Sequence, residues 1–416
     1  MRRALPLFLA VVLLVSAPGI ALQADAPRVS ESSAVETSET VTPPGVNGTT
    51  AHLNVDADRS SIVDTSVGVG TALSMDGVEM ESRLAEYTLE ERMASAPTDA
   101  RKEQTLLKYK FGVESDLSTL QNRKQTLRKQ FNDGTISARE YAFALAEVDT
   151  EAEQVRDAVG RLESSSERVS GLSFYSSTRN MNATIQTIEG PLKERIDGVV
   201  RGRTASTRMY VGTSAVGTVL STVADGEYQR EAYRSDNRNL SRTPGGSIPE
   251  IGQRVLTEQY PWAMSVENRY GTYSDIYQPL HFYPTRIPHE QGTLTAYVDV
   301  GTRKIFGEIQ RKRLGTFPTG EAVRNSTTGL AVAVNRTYPG GPLRVHLTDS
   351  NGTALDAPVV IDGTTVGATG DDGELWTVAP GEEFTVSARR GLNSVSVTLQ
   401  PDGVTPVNTT VAPPKP

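Results

Sequence analysis

Four histidines carry most of the metal-binding potential of this sequence, because the chain contains no cysteine. His281 and His289, followed by Glu290, are the pair closest in sequence, whereas His52 and His346 stand alone. A zinc site takes about three or four ligands, and helical zinc sites use spacings such as H-E-x-x-H. That spacing is absent, so the sequence predicts no metal site.

Nucleophilic and phosphate-binding motifs are equally weak. Ser214 lies in the small-residue run Gly212–Gly217, but the G-x-S-x-G spacing of a nucleophile elbow fails, and a turn is predicted. The acidic run Asp371–Glu374 offers calcium ligands, yet it lacks an EF-hand ladder and more simply predicts a hairpin turn. Walker and dinucleotide fingerprints are absent as well. The sequence therefore predicts no cofactor and no enzymatic activity. Two glycosidase carboxylates need only meet in space, so an extracellular hydrolase of polysaccharide or peptide stays open as an alternative.

An aromatic segment is the best candidate surface for a ligand. Seven aromatic residues lie between residues 260 and 283, in a stretch rich in proline and glycine. Tyrosine and tryptophan in loops can present flat faces to sugars or peptides, although they can equally form the core of a domain. The ligand-binding candidates are Tyr260, Trp262, Tyr270, Tyr273, Tyr277 and Tyr283.

Acceptors for N-linked glycans recur along the chain. The N-x-[S/T] pattern occurs at seven asparagines, which is meaningful only on an exported surface; the alternative is that asparagine and threonine are simply common in turns. The glycosylation candidates are Asn47, Asn182, Asn239, Asn325, Asn335, Asn351 and Asn408.

The N-terminus predicts export. Arg2 and Arg3 precede the apolar stretch Leu5–Val15, so residues 1–24 are predicted to be a signal peptide, too short to span a bilayer, which takes about 20 apolar residues. Residues 25–46 are predicted to be a disordered Ser/Thr/Pro-rich spacer. No other segment is apolar enough to span a membrane, so none is expected in the mature chain. The net charge of −8 argues against a nucleic-acid partner.

A helical domain is predicted over residues 47–172, with an antiparallel coiled-coil hairpin at 98–170. Ser137 and Glu140 form a capping box at the start of the second helix. Lys110 and Lys124 lie on the seam, where they either cover its edge or mark a partner groove, and a coiled coil can also pair copies of the chain. The second helix follows an unbroken heptad pattern at Tyr141, Leu145, Val148, Ala152, Val155, Val159, Leu162, Ser166 and Val169.

Residues 173–318 are predicted to form a mixed α+β domain. The pattern indicates a helix over residues 185–200, another over 248–260, and hairpins turning at 224–226 and 301–303. The last hairpin, TAYVDVGTRKIFGEI, is similar to small propeptide-like modules of exported peptidases. That likeness implies a second alternative, regulation of an exported peptidase.

Residues 320–411 are predicted to form an all-β sandwich, because short alternating strands recur between turn signals. The stretch from Val345 to Ala388 resembles the carboxypeptidase-regulatory, transthyretin-like family, which implies binding, assembly or spacing rather than catalysis. The whole layout resembles uncharacterised exported proteins of halophilic archaea. We therefore expect a multidomain α+β protein, secreted or surface-associated, that acts by binding an envelope protein or glycan.

Overall fold

The computed structural model describes residues 48–277 and 282–400, together with the backbone of the two-residue strand β1 (Val41–Thr42), which pairs with β2 (His52–Leu53). The predicted signal peptide (1–24), most of the predicted spacer (25–46), and the acceptors Asn47 and Asn408 lie outside the described residues.

Five helices follow one another between residues 69 and 200. They are α1 (Val69–Ser95), α2 (Asp99–Asn132), α3 (Ala138–Ser166), α4 (Tyr175–Ile185) and α5 (Pro191–Val200). The predicted capping box is present: Ser137 Oγ accepts the Glu140 N–H at 3.2 Å, and the Glu140 carboxylate accepts the Ser137 N–H at 2.7 Å. This exchange fixes where α3 begins.

Helix α3 lies at the centre of the helical layer, where it packs against α1, α2, α4 and α5. Every heptad position predicted for it, from Tyr141 to Val169, is buried. The seam lysines differ. Lys110 pairs with Glu114 near the surface, whereas Lys124 points inward, donates to the Thr187 carbonyl at 2.7 Å and lies 4.1 Å from the Tyr233 ring centroid. Lys124 therefore ties the helices to the sheet instead of reaching water.

The middle of the molecule is an eight-stranded antiparallel sheet in the order β3-β4-β5-β6-β10-β9-β8-β7. Both predicted hairpins are present, and Asp225 and Arg303 occupy left-handed turn positions. The propeptide-like hairpin supplies β9 and β10 at the interior of the sheet. The strands are β3 (Arg59–Asp64), β4 (Arg208–Thr213), β5 (Gly217–Ala224), β6 (Glu227–Arg234), β7 (Tyr273–Ser274), β8 (Phe282–His289), β9 (Gly292–Asp299) and β10 (Lys304–Arg313).

The two faces of this sheet are covered differently. Helices α3 and α5 pack on one face of β3–β6 through a core that includes Leu145, Ile196 and Val211. Helices α6 (Ile248–Gln259) and α7 (Pro261–Met264) cover β8 and β9 on the other face. As a result, the helical side of β8–β10 is left partly open.

A C-terminal β-sandwich follows a short 3₁₀ helix at Leu314–Thr316. Its two four-stranded sheets, β11-β12-β13-β16 and β15-β14-β17-β18, enclose one apolar core, as predicted. The predicted turn at Asp371–Glu374 is present between β15 and β16. The strands are β11 (Val323–Thr327), β12 (Leu330–Asn335), β13 (Pro342–Thr348), β14 (Pro358–Ile361), β15 (Thr364–Ala368), β16 (Glu374–Val378), β17 (Phe384–Arg390) and β18 (Asn393–Leu399).

The sandwich is docked on the large sheet through a closely packed contact. Tyr338 stacks on His52 with ring centroids 4.1 Å apart, and Tyr228 donates to the Gly340 carbonyl at 3.0 Å. Gly340 adopts φ +70°, and a Cβ there would lie 2.4 Å from the Tyr210 ring. Because only glycine fits both the backbone and the space, the contact is specific.

Candidate functional site

The open part of the large sheet forms a polar cleft of about 910 Å³. Its walls come from α3, α5 and the connection between α4 and α5, and its floor from β8, β9 and β10. Concave sites of this size commonly hold small ligands. The fold places the cleft where the helical layer separates from the sheet.

The floor of the cleft is basic and carries hydroxyl groups. Arg286 on β8 lies opposite Thr295 on β9, and Arg311 on β10 lies opposite Thr293. Both arginine side chains are exposed, and neither has an ion-pair partner in the described part of the chain. The Tyr297 ring lies on the same face, and burial raises the pKa of its hydroxyl so that it stays protonated. The floor therefore offers free donors and one aromatic ring.

The helical wall is acidic. Glu153 and Glu194 line it together with Asp197, which pairs with Arg201 at 2.6 Å, and Glu189, whose Oε1 accepts from Arg156 Nε at 3.0 Å. Partial burial raises the pKa of Glu153, and neighbouring carboxylates raise it further. Carboxylates on the wall thus face guanidinium groups on the floor.

A buried charge cluster adjoins the cleft, and its member Asp149 lines the cleft. Lys193 pairs with Glu231 of β6, and its Nζ lies 4.0 Å from Asp149 Oδ1. Asp149 also accepts the Gly190 N–H at 2.9 Å. Burial raises the pKa of Asp149 to about 7, although Lys193 opposes the shift. Asp149 is therefore the group in this cleft that changes charge near neutral pH.

These groups suit a neutral ligand that is rich in hydroxyls. Sugar hydroxyls both donate and accept hydrogen bonds, so they can satisfy the guanidinium floor and the carboxylate wall together. The Tyr297 side chain also lines the cleft, while its ring stacks on Phe282 with centroids 5.6 Å apart and packs against Phe306. In the described residues, no group of three or more His, Asp or Glu side chains could hold a metal ion.

Three of the predicted ligand-binding aromatics are part of the interior. Tyr260, Tyr277 and Tyr283 are buried; Tyr260 donates to Glu308 at 2.6 Å, and Tyr277 accepts from Gln186 at 2.9 Å. The structure therefore places these three rings where they support the fold.

The other three predicted aromatics differ in exposure. Trp262 is half-buried and packs edge-on against His289, with ring centroids 5.3 Å apart. Tyr270 and Tyr273 are 71% and 66% exposed. A ligand-binding role thus stays a prediction for Tyr270 and Tyr273. Neither ring lines the polar cleft.

The described glycan acceptors differ in whether the side-chain amide nitrogen of the asparagine donates a hydrogen bond within the protein. Asn325 Nδ2 donates to the Ser396 carbonyl and Asn335 Nδ2 donates to the Gly320 carbonyl, both at 2.6 Å. Asn182 lies half-buried within α4. By contrast, Asn239 and Asn351 are exposed in turns.

We expect glycans at Asn239 and Asn351 and little or no glycan at the other three described acceptors. Transfer requires a free amide nitrogen, which the hydrogen bonds of Asn325 and Asn335 withhold once the chain has folded. Glycopeptide mass spectrometry of the protein expressed in an archaeal host measures the occupancy of each position. Glycans confined to Asn182, Asn325 and Asn335 would contradict this assignment.

The sequence pattern did not point to the cleft. Its residues come from seven separate segments, among them the loop after α5 with Arg203 and Thr204, and the floor positions look like ordinary solvent-facing residues of alternating strands. The available signal was that Arg286, Thr293, Thr295 and Arg311 fall on one face once the strand pairing is known.

Comparisons with known families divide the chain into three parts. A domain of unknown function, DUF7096, matches residues 1–205, and a family of unknown function, DUF7094, matches residues 209–318. An archaeal fibronectin-III type-like domain matches residues 321–397. No curated protein and no solved structure matches this chain. The predicted archaeal affinity and the C-terminal β-sandwich are confirmed, with the sandwich matching a fibronectin-III type model.

In the stretches 48–277 and 282–400, no helix is long and apolar enough to cross a bilayer.

Proposed function

We propose that this protein is an exported, glycosylated envelope or extracellular binding protein without catalytic activity, and that its polar cleft binds a glycan. The observation that carries the proposal is the unpaired Arg286 and Arg311 beside two threonines, facing a wall of carboxylates. Such a surface offers donors and acceptors to the same ligand, which is what a polyhydroxyl ligand requires.

The rest of the chain supports this role. The predicted signal peptide at 1–24 and the repeated glycan acceptors favour an extracellular address. Helices α2 and α3 pack along one another, and we propose that they form an antiparallel coiled-coil arm. The sandwich, which also resembles carboxypeptidase-regulatory domains in sequence, would then serve as a spacer or docking module.

Replacing both floor arginines should weaken glycan binding. We expect Arg286→Ala with Arg311→Ala to reduce affinity at least about tenfold, because each removes charge-assisted hydrogen bonds to the ligand. The probe is an array of oligosaccharides released from archaeal surface glycoproteins, with titration of any that bind the parent protein.

The matched control carries Arg303→Ala with Arg324→Ala, two exposed arginines outside the cleft. We expect this control to bind like the parent. If the cleft variant also binds like the parent, the cleft is not the site.

Hydrolysis of a polysaccharide is a second candidate, favoured by one observation. Asp149 titrates near neutral pH and lies in the same cleft as Glu153 and Glu189. A general acid with such a pKa is typical of glycosidases. Shortened oligosaccharides after incubation with the parent protein, and none with Asp149→Asn, would favour this function over binding alone.

A further inference from the structure

Residues 48–55 form an extended strap across the sheet face opposite the cleft. Except for the exposed Gly48 and the partly buried Asn54, its residues are buried. It lies over β6 and β10, because β10 directs Glu308, Gln310 and Lys312 to this face and Ile309 and Arg311 to the cleft. The sheet therefore holds a ligand-like segment of its own chain on the side away from the proposed glycan site.

Side chains of the groove hold this strap mainly through hydrogen bonds to the strap backbone. The Leu53 N–H donates to Glu308 at 2.7 Å, and Glu308 is itself fixed by Arg230 at 2.7 Å. Five strap carbonyls also accept from side chains of the groove. The donors are Gln291 to Gly48, Lys312 to Thr50, Gln310 to Ala51, Arg230 to Leu53 and Arg234 to Asn54.

The groove is a built site, because its polar groups are fully enclosed. Arg230 is 4% exposed, Glu308 1%, and Gln310 and Lys312 0%. Charged residues are seldom buried so completely unless they are paired, and here the pairing extends to a peptide backbone. Recognition of this kind fits an extended peptide.

The fit to the strap is incomplete. In the described structure, Gln291 Oε1, Gln310 Oε1, His52 Nδ1 and His289 Nε2 are buried without a hydrogen-bond partner. Such unsatisfied atoms cost free energy while the strap is in place.

The strap is not a strand of the eight-stranded sheet, so its exchange breaks no ladder hydrogen bond there, although the incoming copy must remake the stack of His52 on Tyr338. The exposed connection Asp56–Asp58 joins it to the edge strand β3, and Asp56 adopts a left-handed φ of 47°. Short strained connections of this type favour exchange of a segment between copies.

We propose that residues 48–55 are an exchangeable strap, and that the groove of one copy binds residues 48–55 of a second copy. The second copy is the partner whose fit is already demonstrated, since it would remake the same contacts with the same groove. This inference is independent of the glycan site, and the partner copy supplies the residues that complete the groove.

A cysteine pair tests the exchange, because the chain has no cysteine of its own. A Cβ built on Gly217 would lie 2.7 Å from Val55 Cγ1, which brings the two positions within disulfide range. Full-length Val55→Cys and Gly217→Cys chains with different tags are mixed, warmed to just below the unfolding transition, cooled and oxidised. We expect a disulfide-linked heterodimer on a denaturing gel, with the bond between positions 55 and 217 confirmed by mass spectrometry.

Two controls make either result informative. The double variant Val55→Cys/Gly217→Cys in one chain should close an internal disulfide, which shows that the substitutions are tolerated and the geometry is right. Pairing Val55→Cys with Ser241→Cys, an exposed position away from the groove, gives the background of random oxidation. Internal closure of the double variant, with no heterodimer above that background, would overturn the proposal.

Discussion

Replacing Glu308 with alanine is expected to lower the free energy of unfolding by about 3–5 kcal/mol, the typical cost of breaking a buried ion pair. Glu308 accepts from Arg230, from the Tyr260 hydroxyl and from the Leu53 N–H. Alanine would leave all three donors buried without an acceptor. The Arg230 guanidinium, 4% exposed, would also become an uncompensated buried charge.

Denaturant unfolding followed by the fluorescence of Trp262 in a Trp376→Phe background measures this loss, because Trp262 packs against the same core whereas Trp376 lies in the C-terminal sandwich. Glu308→Gln keeps one acceptor oxygen and should fall between the parent and the alanine variant. Asp99→Ala removes an exposed i,i+3 pair with Lys102 and should change stability by no more than about 0.5 kcal/mol. A loss for Glu308→Ala as small as that of Asp99→Ala would show that the network adds little.

The sequence predicted elements well where the signal is local. The capping box at Ser137 and the heptad positions of α3 are short-range patterns, and the structure places both as expected. The predicted helix over residues 185–200 is correct only from Pro191 to Val200, because Ile185 ends α4 and residues 186–190 are not helical. Gly190 and Pro191 interrupt the helical run, so α5 begins at Pro191. At its N-terminus the Leu192 N–H donates to Glu231 at 3.4 Å.

Strand β10 shows why the groove could not be predicted. Its alternation suggests that Ile309 is buried and that Glu308, Gln310 and Lys312 face solvent. The structure has the opposite arrangement, because the three polar side chains bind the strap, whereas Ile309 lines the polar cleft. A sequence pattern shows only whether a side chain is polar. It cannot distinguish a polar side chain that is exposed to water from one that hydrogen-bonds to a backbone segment more than 250 residues away in sequence.

The same strand therefore serves both proposed sites. Glu308, Gln310 and Lys312 hold the strap on one face, and Arg311 contributes to the glycan floor on the other. Lys312 on the strap side and Asp149 in the cleft lie on opposite faces of the sheet, so each contributes its own pH dependence.

Lys312 is expected to make the protein more stable as the pH rises above 7. Burial lowers the pKa of Lys312 from 10.5 to about 7, with Glu308 opposing the shift and Arg230 adding to it. Between these two values the unfolded chain holds a proton that the folded chain has released, so stability increases with pH across that window. The slope contributed by this residue is up to about 1.4 kcal/mol per pH unit, or on the order of 5 kcal/mol in all.

Comparing the parent with Lys312→Met isolates this contribution. Methionine has a similar volume and no charge. The free energy of unfolding of Lys312→Met should therefore exceed that of the parent most near pH 7, and the difference should shrink as the pH rises to about 9.5. Lys124, whose burial also lowers its pKa to about 7, provides the matched variant Lys124→Met, and it should remove a second slope of the same sign. Asp149, whose pKa burial raises to about 7, adds a slope of the opposite sign that fades above pH 7, and this slope cancels in the comparison because the parent and both variants carry Asp149. A constant difference between the parent and Lys312→Met from about pH 7.5 to about 9.5 would mean that Lys312 keeps its proton in the folded protein, and that Glu308 compensates fully for its burial.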